Sequence, residues 1–221
     1  MLLRRMCTMV SVVISATAAT LLAPAALPVA GADPCPQVEV VFARGRIEPP
    51  GTGQIGQAFI AALRSKTDKS VAYYAVDYPA DTEIIQGATD MSRHIQYMAA
   101  NCPDTKLVLG GYSLGAAVTD VVLGAPSPFL GYKNPLPLGM TDHIAAVALF
   151  GNGTRKLLGP VSAVSPLWGS KTIDLCTAED PICSDNMDPN TWLGNWSEHL
   201  QPAYIDSGLV NEAADFVAAR L

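Results

Sequence analysis

Residues 111–115 read Gly-Tyr-Ser-Leu-Gly, the Gly-x-Ser-x-Gly spacing that lifts a serine onto a sharp strand-to-helix turn. An aliphatic run, Leu107-Val108-Leu109, enters the turn, and a run rich in Ala and Val leaves it. A serine hydroxyl is a weak nucleophile until a base takes its proton, and that base is ordinarily a histidine oriented by a carboxylate. The chain has three histidines. His94 falls in a helical pattern, and His143 stands just before an apolar strand-like run. On this kind of turn the partners follow in the order serine, acid, histidine, which leaves His199 as the base for Ser113. The acids between residue 150 and His199 are Asp174, Glu179, Asp180, Asp185, Asp188 and Glu198. Asp174 lies within a strand-like run, where a side chain faces either side. Asp180 lies in a short loop bracketed by Cys176 and Cys183, and a cross-linked loop would hold a carboxylate rigidly. Asp180 is the preferred acid and Glu179 its main competitor. The chemistry implied is attack of Ser113 on a carbonyl carbon with His199 carrying the proton.

Alternating strand-like and helix-like stretches must position these groups. Val38–Ala43, Val71–Val76, Lys106–Tyr112, Ile144–Phe150 and Thr172–Leu175 read as strands. Between and after them, helical patterns run from about Gln54 to Thr67, Ala88 to Ala100, Leu114 to Leu123 and Asn211 to Arg220. Strand–helix alternation with largely apolar strands predicts a parallel sheet covered by helices on both faces. Two irregular stretches carry apolar residues: Ala125–Thr141, rich in proline, and Ser184–Trp196, with Trp192 and Trp196.

The N-terminal 32 residues stand apart. Arg4 and Arg5 precede an uncharged run from Met6 to Leu22, and Ala30-Gly31-Ala32 closes the segment. This is the layout of a secretory signal peptide with cleavage before Asp33, leaving residues 33–221 as one domain and no stable membrane insertion. Of five cysteines, Cys7 leaves with the leader. The remaining four, Cys35, Cys102, Cys176 and Cys183, read as two disulfides in an exported chain. Local spacing favours Cys176–Cys183, which leaves Cys35–Cys102. No Cys-x-x-Cys pair is present, so a zinc site is not expected. The formal charge is −6, with no basic cluster, which argues against nucleic acid as a partner. Two Asn-x-Ser/Thr triplets occur, at Asn152 and Asn195.

Phe42-Ala43-Arg44-Gly45, the 111–115 turn, the Cys176-Thr177-Ala178-Glu179-Asp180-Pro181-Ile182-Cys183 segment and the late His199 together resemble the cutinase family. The likeness is strongest to its mycobacterial cutinase-like proteins and runs through the whole of residues 33–221. It implies a small α/β-hydrolase: a three-layer α/β/α sandwich on a five-stranded parallel sheet, with the two disulfides paired as above. It implies a secreted, monomeric serine esterase without cofactor or metal, acting on an ester or lipid substrate through Ser113, Asp180 and His199. The resemblance places an oxyanion hole at the backbone N–H groups of Arg46 and Leu114. Members often carry Ser or Thr at the first position and Gln at the second, so this chain departs at both. At the site mouth it suggests Ile84, Ile85, Trp192 and Leu193 as substrate contacts. The same groups would serve a phospholipase, thioesterase or acyltransferase. Outside enzymes, the alternative is a secreted lipid-binding surface protein, which a fluorophosphonate probe would leave unlabelled.

Overall fold

In the computed structural model, which describes residues 35–128, 131–185 and 194–221, the five apolar runs pair side by side. The strands β1 (Val38–Ala43), β2 (Val71–Ala75), β3 (Lys106–Tyr112), β4 (Ile144–Phe150) and β5 (Thr172–Leu175) form one sheet in the order β2-β1-β3-β4-β5. Every pairing is parallel. The expected leader, residues 1–32, lies outside the described residues, as do Trp192 and Leu193.

Side chains alternate across a strand, and here that alternation builds two cores. Val41, Ala43, Leu107, Leu109, Val147 and Leu149 pack under the helices α2 (Ile84–Asn101) and α3 (Leu114–Gly124). Their neighbours Val40, Phe42, Val108, Ala146, Ala148 and Phe150 pack on the opposite face. That face is covered by α1 (Gly53–Arg64) and by the C-terminal helix, Leu209–Ala218. In α1 the buried stripe is Ile55, Phe59, Ile60 and Leu63, the spacing of one helical face. Phe42, Phe59 and Phe150 form a triangle of rings with centroids 5.9–6.4 Å apart. Such pairs contribute ~0.5–1.5 kcal/mol each beyond their burial.

The connections differ from expectation in two places. Helix α2 begins at Ile84, four residues ahead of the expected Ala88. After β4 the chain makes three short helices, α4 (Thr154–Leu158), α5 (Val161–Val164) and α6 (Pro166–Gly169), where none is expected. Gly159-Pro160 and Ser165-Pro166 interrupt what would otherwise be one helix, because proline lacks the N–H and crowds the preceding turn. Helix α7 (Gln201–Asp206) follows a 3₁₀ turn at Trp196–His199 and leads into α8 (Leu209–Ala218). Two disulfides join Cys35 to Cys102 and Cys176 to Cys183. Among the described residues no helix is long and apolar enough to cross a membrane.

Sheet order decides where a site forms. From β1 the chain goes one way to β2, then crosses back to β3 on the other side of β1. The carboxyl ends of β1 and β3 therefore face a crevice at the point where the strand order reverses, which is where open α/β sheets bind ligands.

Candidate active site

Ser113 stands at the end of β3 as the N-cap of α3, with φ +54° and ψ −116°. A non-glycine residue held at positive φ costs of the order of 1–3 kcal/mol and persists only where its surroundings enforce it. The flanking glycines enforce it. A Cβ on Gly111 would sit 2.2 Å from the Gly115 carbonyl oxygen, and one on Gly115 would sit 1.9 Å from that of Ala43. The turn thus fits only between two bare backbones, pressed against the end of β1. Ser113 N–H donates to Phe150 O at 2.9 Å, tying the elbow to β4.

The side chains expected from sequence to act together are contiguous. Ser113 Oγ is 2.8 Å from His199 Nε2, and His199 Nδ1 is 2.7 Å from Asp180 Oδ2. Asp180 is fully buried and His199 nearly so. Burial opposes ionisation of Asp180, but hydrogen bonds from His199, Tyr204 and the Ile182 N–H outweigh it and hold the carboxyl below its ordinary range. The Ile182 N–H donates to Asp180 Oδ1 at 2.6 Å. Tyr204 OH donates to Oδ2, and burial together with the Asp180 charge raises that phenol, so it stays a donor. Glu179 is exposed and accepts from Asn195 Nδ2 at 3.3 Å; of the two competing acids, Asp180 is the one His199 meets. The backbone of the histidine is fixed too. Tyr112 OH donates to His199 O, and Thr177 Oγ1 donates to Glu198 O at 2.8 Å, which ties the disulfide loop to the histidine segment.

Sequence reasoning missed Tyr204 and gave no role to Tyr112. Tyr204 lies in a short helix with no periodic signal. Tyr112 is the last residue of β3, and its reach to the His199 carbonyl depends on where the C-terminal segment packs. His94, one of the two excluded histidines, pairs with Glu39 at 2.7 Å and stacks on Tyr74 with ring centroids 3.5 Å apart.

Arg46 sits in the turn after β1, exposed, and lines the same cleft as Ser113, Leu114 and His199. Its turn is braced from below. The buried Arg44 guanidinium donates to Glu48 O at 2.9 Å and Tyr78 O at 2.7 Å. Glu48 Oε2 accepts from the Gly45 N–H at 2.7 Å, and Oε1 accepts from the Gln54 N–H at 2.9 Å. The following Ile47 has φ +64° and is 81% exposed. Among the described residues neither the Arg46 N–H nor the Leu114 N–H has an acceptor, and the Arg46 guanidinium has no partner. Both residues line the cleft that holds Ser113.

The cleft measures about 720 Å³. Neither Ile84 nor Ile85 lines it. Ile84 borders a smaller adjoining cavity, and Ile85 faces a separate surface hollow with Asp77 and Thr89. Beside the cleft, Asn152 Nδ2 donates to Asp120 Oδ2 at 2.9 Å and Asp174 Oδ2 at 3.1 Å. Asn152 is therefore buried and committed, not a glycan acceptor. Burial raises both carboxyls, Asp174 to about 6. Among the described residues the one close group of metal-ligating types is Cys176, Asp180 and Cys183. Its sulfurs are bonded to each other, so it offers no thiolate.

The family model described as Cutinase matches residues 34–221. The chain is 60% identical over 187 residues to the Mycobacterium tuberculosis protein named Probable carboxylesterase Culp2, covering 85% of this chain and 80% of that one. It is 50% identical over 221 residues to the protein named Phospholipase Culp4 of Mycobacterium tuberculosis, covering 99% and 92%. Among solved structures, a Trichoderma reesei cutinase in complex with a phosphonate inhibitor superposes with a TM-score of 0.63 at 28% identity, covering 85% of this chain and 77% of that one. The catalytic core of an acetyl xylan esterase from Trichoderma reesei, at 23% identity and a TM-score of 0.66, covers 85% and 100% and shares the fold.

Proposed function

The chain belongs to the cutinase family and is a carboxylic ester hydrolase, and from that premise we propose a secreted serine esterase with Ser113 as nucleophile, His199 as base and Asp180 as the orienting acid. His199 Nε2 takes the proton as Ser113 Oγ attacks the ester carbonyl. Asp180 holds the imidazole with its proton on Nδ1 and stabilises the imidazolium. The N–H groups of Arg46 and Leu114 receive the negative charge that develops on the carbonyl oxygen. His199 then protonates the leaving alcohol, and water, activated by the same base, releases the acid from the acyl-enzyme.

The observation that carries this reading is the unbroken path from Ser113 Oγ through His199 to Asp180, at 2.8 and 2.7 Å, opening on a cleft. The oxidised cysteine pairs suit an exported protein. The relative named a phospholipase, together with exposed Ile47, Leu157, Trp196 and Leu200 around the cleft, supports phospholipid acyl esters within the substrate class. Hydrolysis of p-nitrophenyl butyrate tests the assignment. Ser113→Ala, His199→Ala and Asp180→Ala should each lose orders of magnitude in kcat while remaining folded, and the losses should not add in double variants. Near-parental activity in Asp180→Ala, with activity lost in Glu179→Ala, would overturn the choice of acid.

A further inference from the structure

The elbow helix separates two cavities. The cleft with Ser113 and His199 lies at its start. A smaller cavity, about 190 Å³, lies further along, bordered by Ile84, Asp120, Val121, Leu123, Leu158 and Val161. Ala117 and Thr154 belong to both walls, so the two spaces adjoin at the first turn of α3. No group assigned to the chemistry borders the smaller cavity. Its lining is mostly aliphatic, and burial favours the neutral form of Asp120.

We propose that this cavity is the acyl subsite, which takes the far end of an unbranched alkyl chain of about eight to ten carbons. The inference rests on Ser113 being the nucleophile. His199 must protonate the leaving oxygen, so the alcohol lies on the His199 side of the cleft, beside Trp196 and Leu200. The acyl chain then leaves the carbonyl in the other direction, along α3. Ala117 and Val121 follow Ser113 by one and two turns, about 6 and 12 Å along the helix. A saturated chain advances about 1.25 Å per carbon at ordinary bond lengths and angles. It passes Ala117 near its fifth carbon and draws level with Val121 near its tenth. The cavity, about 190 Å³, is several times larger than one small buried group needs, so it has room for a chain end. Chains of four carbons end before the cavity.

Each methylene buried there should raise kcat/KM about fourfold. The test compares monomeric p-nitrophenyl octanoate with p-nitrophenyl butyrate, using the octanoate-to-butyrate ratio of kcat/KM within each protein. A partly misfolded variant therefore does not distort the result. The parent ratio should exceed about ten, because some three carbons enter the cavity at about fourfold each. Val121→Trp fills the cavity, and Leu158→Trp does so from a residue 65% exposed, where folding is not at stake. A tenfold fall of the ratio in either variant supports the subsite. A parent that hydrolyses both esters, with both variants keeping the parental ratio, overturns the subsite and leaves the esterase reading intact. A parent that hydrolyses neither ester overturns the esterase reading itself.

Discussion

Arg46 and Leu114 carry side chains that depart from the family pattern, yet the groups assigned to them are backbone N–H donors, which any side chain leaves in place. Loss of a true oxyanion donor costs ~10²–10³ in kcat. Arg46→Ala should therefore change kcat on a neutral short ester by less than ~10-fold, about 1.4 kcal/mol, because the bracing by Arg44 and Glu48 does not involve the Arg46 side chain. Arg46→Ser should be at least as active, since a hydroxyl could add a donor. A folded Arg46→Ala protein that lost a hundredfold would make the guanidinium itself catalytic. At this scale the sequence was informative where chemistry imposes spacing: the glycines around Ser113, the cysteines around Asp180, and a histidine late enough to follow both. It was silent on Tyr204, whose contact with Asp180 depends on how α7 packs. It did not foresee that Ile85, the second residue of α2, lines a separate hollow with Asp77 and Thr89.

The Asn152–Asp120–Asp174 cluster joins three elements: the segment after β4, the middle of α3, and β5. Asp174 has its carboxyl at about 6, against an ordinary 3.8, first through burial; Arg155 and Asn152 lower it, and Asp120 adds to the rise. The folded state therefore holds this proton more tightly than the unfolded one. The resulting stability is fully present below about pH 4, declines as pH rises toward 6, and is absent above that, a cost of about 3 kcal/mol at neutral pH. Asp174→Asn removes the titration while keeping an acceptor for Asn152. Thermal unfolding should show the variant melting a few degrees higher than the parent at pH 7 and level with it near pH 4. A parent that melts higher at pH 7 would mean that the Arg155 contact, 3.9 Å away, outweighs burial. The elements themselves divide by length. The five strands and α1, α2, α3 and α8 were legible from apolar runs or helical stripes. The helices α4 to α6 span four or five residues each, too short to display a period, and their existence depends on packing against α3. Yet α4 and α5 supply Thr154, Leu158 and Val161 to the wall of the proposed acyl subsite.

Across the whole molecule, two cross-links of different reach hold one acidic domain. The Cys35–Cys102 bridge spans 67 residues and the Cys176–Cys183 bridge spans 7. In the chain-entropy model these stabilise by about 4 and 2 kcal/mol respectively. The long bridge joins the chain ahead of β1 to the end of α2, and the short one shapes the loop that presents Asp180 to His199. The fold thus brings a strained serine, a histidine from near the C-terminus and a loop-borne carboxylate to one crevice at the reversal of strand order. The central claim is that this crevice makes Ser113, alone among the chain's serines, a nucleophile. Fluorophosphonate labelling of the folded protein, followed by intact-mass measurement and peptide mapping, tests it most directly. The account predicts one adduct per chain, on Ser113, absent from Ser113→Ala and strongly slowed in His199→Ala. A folded, ester-hydrolysing protein that stayed unlabelled, or carried its adduct on another residue, would contradict it.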